Sequence, residues 1–239
     1  MHAIHNALFS LSILVLVVSM VGWLAWVQPA YAQVELKPSS LCNKDIKKSL
    51  TLTADLICST PTGIGIGANG ITLNCNNHII KHTGPPETGD GIVIAYRSHV
   101  TVKHCTVENF YYAGIYVYRS SNVVVSDNSV SGNGLTGLTG IYPPSVAGIE
   151  LNEVSSTTVI GNVANGNENG FSIYANHGTS SNNIIQGNSA GFGSANVLYG
   201  FYDGTTGSGT AGTANTYTGN SCSGTNNGGG AQSSPTGLC

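Results

Sequence analysis

The chain has 239 residues, only 8% of them charged, and a formal net charge of −3. So sparse and slightly acidic a charge set excludes electrostatic capture of nucleic acid. Every Lys and Arg lies at or before Arg119, whereas Asp127, Glu150, Glu153, Glu168 and Asp203 follow it, so the second half offers polyanions nothing.

From Ala7 to Val27 the chain is almost continuously apolar, and Pro29-Ala30-Tyr31-Ala32 ends in the Ala-x-Ala pattern of a secretory signal peptide. Residues 1–32 are therefore expected to be a leader removed before Gln33, leaving 33–239 as a single exported domain. The apolar run is longer than a usual signal core and no Lys or Arg precedes it, features an uncleaved membrane anchor would share. On either reading the domain is extracytoplasmic, in periplasm, at the cell surface or in the medium, and it meets a membrane only if the leader stays.

The 6 cysteines all lie beyond the leader, and no C-x-x-C pair occurs. In an exported chain that pattern predicts disulfides rather than metal thiolates. Chain order favours Cys42 with Cys58 and Cys222 with Cys239, which leaves Cys75 with Cys105.

Beyond Gly91 the chain repeats itself. The segments GIVIAYR from Gly91, GIYVYRS from Gly114, GIELNEV from Gly148, GFSIYAN from Gly170 and GFYDGTT from Gly200 share a glycine followed by alternating apolar residues, and each precedes a second short β-rich piece. Aligned on Val102, Val125, Val159, Ile185 and Tyr217, the copies place Cys105, Asn128, Asn162, Asn188 and Asn220 in one column. Two residues on, the column reads Val107, Val130, Ala164, Ala190 and Cys222, small or apolar throughout. The spacing between copies varies, as a solenoid allows, because extra residues can loop out at one corner.

Period-2 alternation in short runs bounded by Gly, Asn, Ser and Thr is the signature of strands, and the repeats are too short for crossover helices. The prediction is an all-β chain coiled as a parallel β-helix. A β-sandwich would accept the same strand spacing but would leave the asparagine column unpaired. Stacked coils let each side-chain amide bond to the next, a ladder of Asn128, Asn162, Asn188 and Asn220.

The stretch SLTLTADLICSTPTGIGIGANGITLNCNNHIIKH, Ser49 to His82, resembles the opening coils of the parallel β-helix proteins with a pectate-lyase-like fold, a broad group that includes NosD-like proteins. Asn77 stands where the group usually has Gly. The resemblance covers roughly residues 41–230 and implies a right-handed helix of six to seven rungs. It implies little about activity, because the group holds polysaccharide lyases, hydrolases, epimerases and non-catalytic members.

A β-eliminating lyase needs a base and a means of neutralising the uronate, commonly Ca2+ on clustered carboxylates. In the repeat alignment no two carboxylates share a column, and no Asp occurs between Asp127 and Asp203. No catalytic residue is assigned on this pattern, and Ca2+ is expected only if the protein is a lyase. His78 and His82, four apart on a strand, stand about 13 Å from each other, too far to share one ion, so no metal site or other cofactor is expected. His99 and His177 read as surface turn residues.

What remains is the outward face of the first strand of each repeat. If Ile92, Ile115, Ile149 and Phe171 point inward, then Val93, Tyr116, Glu150 and Ser172 form one solvent-facing column, with Ala95, Tyr118, Asn152 and Tyr174 in the next. Arg119 falls beside Glu153. Tyrosines among amide and carboxylate groups resemble a platform for sugar rings, which stack on aromatic faces and bond at their edges. Cross-strand tyrosines also stabilise a sheet without any ligand. The insertion from Gly134 to Ala147, stiffened at Tyr142-Pro143-Pro144, is placed to wall one side of this ribbon.

The ends need caps. Residues 41–58 are expected to close the first rung, and the glycine-rich tail 224–239, with little to pack, to be held by its cysteine. The function expected is non-catalytic recognition of glycans or another extracellular surface. A polysaccharide-active enzyme of the lyase or epimerase class and a structural envelope or matrix protein are the alternatives. Oligomeric state is not encoded in these patterns.

Overall fold

A computed structural model describes residues 38–85, 88–134, 146–205, 212–223 and 233–239. Each coil contributes three short strands, which stack on the strands of the coils below and above into three parallel sheets. Sheet I, of eight strands, contains Lys44–Ile46, Ile64–Ile66, Ile92–Ala95, Ile115–Tyr118, Ala147–Asn152, Asn169–Tyr174, Phe201–Asp203 and Ser233–Ser234 in that spatial order. Sheet II runs in seven strands from Leu50–Thr51 to Thr216–Thr218, and sheet III in seven from Leu56–Cys58 to Ser221–Cys222. This is a parallel β-helix of about seven rungs, and the strands of sheets I and II carry the register expected from the repeats: Tyr116 pairs with Val93 and Glu150, and Val125 with Val102 and Val159.

Alternation decides which side chains enter the core, and their sizes compensate across it. Along sheet III the inward column shrinks from Ile80 through Val107 and Val130 to Ala164 and Ala190, all fully buried. Along sheet I it grows from Ile92, Ile115 and Ile149 to Phe171 and Phe201, whose rings stack at 4.5 Å. Each coil thereby fills a similar cross-section, as close packing requires. The glycine heading each sheet I segment stands where the backbone comes close to sheet III: a Cβ on Gly148 would lie 2.6 Å from Val130 Cγ2 and 2.7 Å from Asn167 Nδ2.

The asparagine column is a ladder. Asn128 Nδ2 donates to Asn162 Oδ1 at 2.9 Å, Asn162 Nδ2 to Asn188 Oδ1 at 3.0 Å and Asn188 Nδ2 to Asn220 Oδ1 at 3.1 Å. Each of these Oδ1 atoms also accepts the backbone N–H of the asparagine below. Each of these three amide nitrogens donates as well to a carbonyl of the coil below, so the buried amides are well satisfied. At the foot of the ladder Asn128 Oδ1 accepts Cys105 N, and a Cys75–Cys105 disulfide carries the column down one more coil.

Two further ladders were not read from the sequence. Asn133, Asn167 and Asn196 stack at the corner between sheets III and I. Asn183 and Asn215 stack at the corner between sheets I and II, where Asn183 Oδ1 accepts Thr157 N.

The first rung is closed by Cys42–Cys58 and the last by Cys222–Cys239. The tail does more than hang from its cystine: Ser233–Ser234 adds a strand on Phe201 and Tyr202, Leu238 is buried, and its carbonyl accepts Asn220 Nδ2. Residues 1–32, expected from the sequence to be a leader, residues 135–145 of the insertion and residues 224–232 of the tail lie outside the described residues.

Candidate functional site

The outward face of sheet I ends at the corner toward sheet II, and there the backbone turns on residues in the left-handed region: Tyr96 (φ 57°), Arg119 (φ 44°) and Glu153 (φ 54°), one above another. Non-glycine residues in this region cost about 1–2 kcal/mol each, least for Asn and Asp. Three successive coils nevertheless place a large aromatic or charged side chain at this point and project it outward.

The projected groups form one cluster. Tyr96, the most exposed large residue of the group at 59%, meets Tyr118 edge to face at 5.4 Å, and Tyr118 stacks on Tyr116 at 5.8 Å. The Arg119 guanidinium lies 5.0 Å from the Tyr118 ring centre while its Nε donates to Glu153 Oε2 at 2.6 Å. Glu153 Oε1 accepts the backbone N–H of His177 at 2.9 Å. These two hydrogen bonds, Arg119 first, hold its carboxyl below the usual glutamate range.

The two columns are not uniformly exposed, which corrects the alternation argument. Tyr116, Tyr118 and Tyr174 are half-buried, but Glu150, Asn152 and Ser172 are buried. The cause is a crossed pair of diagonal contacts. Tyr174, in register with Asn152, reaches back so that its hydroxyl donates to Glu150 Oε1 at 2.5 Å, while Asn152 Nδ2 donates to the hydroxyl of Tyr116, the register partner of Glu150. Long side chains reach such diagonal neighbours readily.

Burial pushes the Glu150 carboxyl well above its ordinary value, against the opposing effect of the Tyr174 hydrogen bond, and the nearby Asp90 charge adds to the rise. Asp90, which accepts Ala113 N at 2.8 Å, is itself pushed up to about 6, chiefly by burial. Burial, then the charge of Glu150, raises the Tyr116 phenol. The face thus holds a buried carboxyl among tyrosines, its ionisation disfavoured by burial. Asn152 Oδ1 is buried and finds no partner, an unusual cost for a buried amide.

With this geometry in place the comparison with known proteins is decisive for the family. Residues 57–237 match the family model described as right handed beta helix region. The chain belongs to that family. No curated protein and no solved structure matches it. Membership of the right-handed β-helix family fixes the solenoid but no chemistry, so the site must be argued from this chain's own residues.

Of the residues singled out in the sequence, Tyr116, Tyr118, Arg119, Glu150, Asn152, Glu153 and Tyr174 come together on sheet I, whereas Tyr142 lies outside the described residues. Tyr96 and Asp90 were missed. Tyr96 sits one residue past the strand, directly below Arg119, so the register that placed Arg119 over Glu153 would have found it. Asp90 precedes the repeated glycine and left no mark in the alternation. His99 and His177 are exposed. Among the described residues no group of three or more His, Cys, Asp or Glu side chains is placed to hold a metal ion. Three disulfides fit an oxidising, extracytoplasmic setting.

Proposed function

We propose that this β-helix protein is exported and binds glycans, without transforming them, on the tyrosine face of sheet I. The observation that carries the reading is the aromatic cluster of Tyr96, Tyr118 and Tyr116 at a corner where three successive coils turn on Tyr96, Arg119 and Glu153 in a costly backbone conformation, with Arg119 and Glu153 paired beside it. Exposed aromatic faces stack on the apolar faces of sugar rings, and the polar rim supplies hydrogen bonds to hydroxyls.

A glycan array tests it. Wild-type protein is expected to give signal on a subset of glycans, and Tyr96→Ala with Tyr118→Ala to abolish that signal while the thermal melt moves little, since neither hydroxyl supports the core. Absence of signal from the wild type on every glycan would refute the reading. Tyr174 is a poor choice for this test because its hydroxyl supports the buried Glu150.

One observation favours a second reading, a polysaccharide-active enzyme: burial raises the Glu150 carboxyl well above the usual carboxylate range, with Asp90 nearby, the direction a general acid requires. An absorbance assay for unsaturated uronate products, paired with a reducing-end assay, separates the two readings. Product released by wild type and lost in Glu150→Gln would favour catalysis.

A further inference from the structure

We infer that the tyrosine face continues past Tyr174 into a separate subsite at the corner between sheets I and II, which takes one residue of an uncharged, linear oligosaccharide lying along the solenoid axis. The inference rests on the glycan reading above and adds a place, a chain length and a charge class.

The outward column Ala95, Tyr118, Asn152, Tyr174 ends at Gly204: Ser172 pairs with Tyr202 and Ile173 with Asp203, so Gly204 stands one rung above Tyr174. The column that carries the tyrosines thus closes on a residue with no side chain. Beyond Tyr174 a groove of about 340 Å³ opens, bounded by Ala175, Gly178, Thr179 and Ser180 on one coil and by Thr205 and Thr213 on the next. Among the described residues it is lined by backbone, methyl groups and hydroxyls, without a charged side chain.

Two bonds tie this groove to the tyrosine face. Ser180 Oγ donates to the Tyr174 carbonyl at 2.7 Å. Glu153, which holds Arg119 over Tyr118, also accepts His177 N from the turn that forms the groove's outer wall. One carboxylate therefore sets both the aromatic cluster and the groove. A side chain at Gly178 would crowd that carboxylate, its Cβ falling 3.2 Å from Glu153 Oε2.

Successive coils rise by about 4.8 Å, close to the repeat of an extended β-(1→4)-linked pyranose chain. A chain laid along the axis therefore sets one ring per coil, over Tyr118, Asn152 and Tyr174 and then in the groove. Four coils in line predict that four sugar residues are engaged. With Arg119 already paired to Glu153 and no cation among the described residues of the groove, the lining favours an uncharged chain over a polyuronate.

The test is calorimetric titration with size ladders, from one to six residues, of β-(1→4)-linked glucose, N-acetylglucosamine, mannose and xylose, with oligogalacturonates as the charged comparison. Affinity is expected to rise with each added residue up to four and then level off in at least one neutral ladder. Thr179→Trp, which fills the groove, should weaken the tetramer by about tenfold, to the level of the trimer, and leave the trimer unchanged. Ala175→Trp repeats the test from the other side should the first variant melt early. Affinity that levels off at two or three residues, or tetramer binding indifferent to both fillings, or preference for the oligogalacturonates, overturns the subsite and leaves the tyrosine reading standing. No binding by wild type in any ladder and none on the array overturns both.

Discussion

Asn162→Ala removes the central amide of the longest ladder. Its Oδ1 accepts Asn128 N and Asn128 Nδ2, both at 2.9 Å, and its Nδ2 donates to Val125 O at 2.8 Å. All of these groups are buried, and water cannot replace the lost partner. At about 1–3 kcal/mol per stranded group, and counting Asn128 Nδ2 for less because it keeps Val102 O, the loss sums to roughly 3–6 kcal/mol. Against a total stability of about 5–15 kcal/mol for a folded domain, this is a large fraction. Urea unfolding followed by far-ultraviolet circular dichroism reads it. Ser126→Ala, from the outward face of the same corner, should be nearly silent, and Asn220→Ala, on the last rung, should cost less than Asn162→Ala. If Asn162→Ala unfolds within about 1 kcal/mol of wild type, the asparagines only shape their own turns and the ladder argument is wrong.

The remaining predictions concern the sheet I face and the packing beneath it. Because burial holds the Glu150 carboxyl above its unfolded value, its contribution to stability is complete below the ordinary carboxylate range, from about pH 4, and is lost as pH rises through the folded value. Glu150→Gln carries no such dependence, so its melting temperature should gain on wild type as pH rises; a constant difference would show that Glu150 is ionised in the folded protein. Asp90→Asn should behave likewise, with the change falling between the ordinary range and about 6. Gly148→Ala forces a methyl against Val130 and Asn167 and should cost about 1–3 kcal/mol in urea; an unchanged midpoint would show that the corner can relax. Replacing Cys75 and Cys105 together by Ser opens a loop with sequence separation 30 and should cost about 3–4 kcal/mol, which unfolding of the double variant measures.

The coil and its first ladder were legible because identical residues recur in one column, and a stack of coils is the arrangement that satisfies them. The second ladder was hidden by uneven corners. Asn133 and Asn167 each follow a ladder asparagine by five residues, but Asn196 follows Asn188 by eight, and the mismatch conceals the column. The aromatic face was found by strand alternation, yet alternation reports only the direction of the Cβ. It does not show how far Tyr174 and Tyr116 reach along the diagonals, so Glu150 and Asn152, correctly placed on the outer face, proved buried there. Asp90 acts through the fold of a corner, where no periodicity operates. The tail was misjudged because its glycines drew the reading away from Ser233–Ser234 and Leu238, which supply a strand and an apolar plug.

The measurement that bears most directly on the proposed binding face is a crystal structure of the protein with a neutral oligosaccharide found to bind it. The account predicts a first sugar ring lying against Tyr118 with Tyr96 at its edge, and further rings running up sheet I past Tyr174. Rings seated elsewhere, such as along the lysines of the first coil at Lys44, Lys47 and Lys48, with the tyrosine face bare, would contradict it.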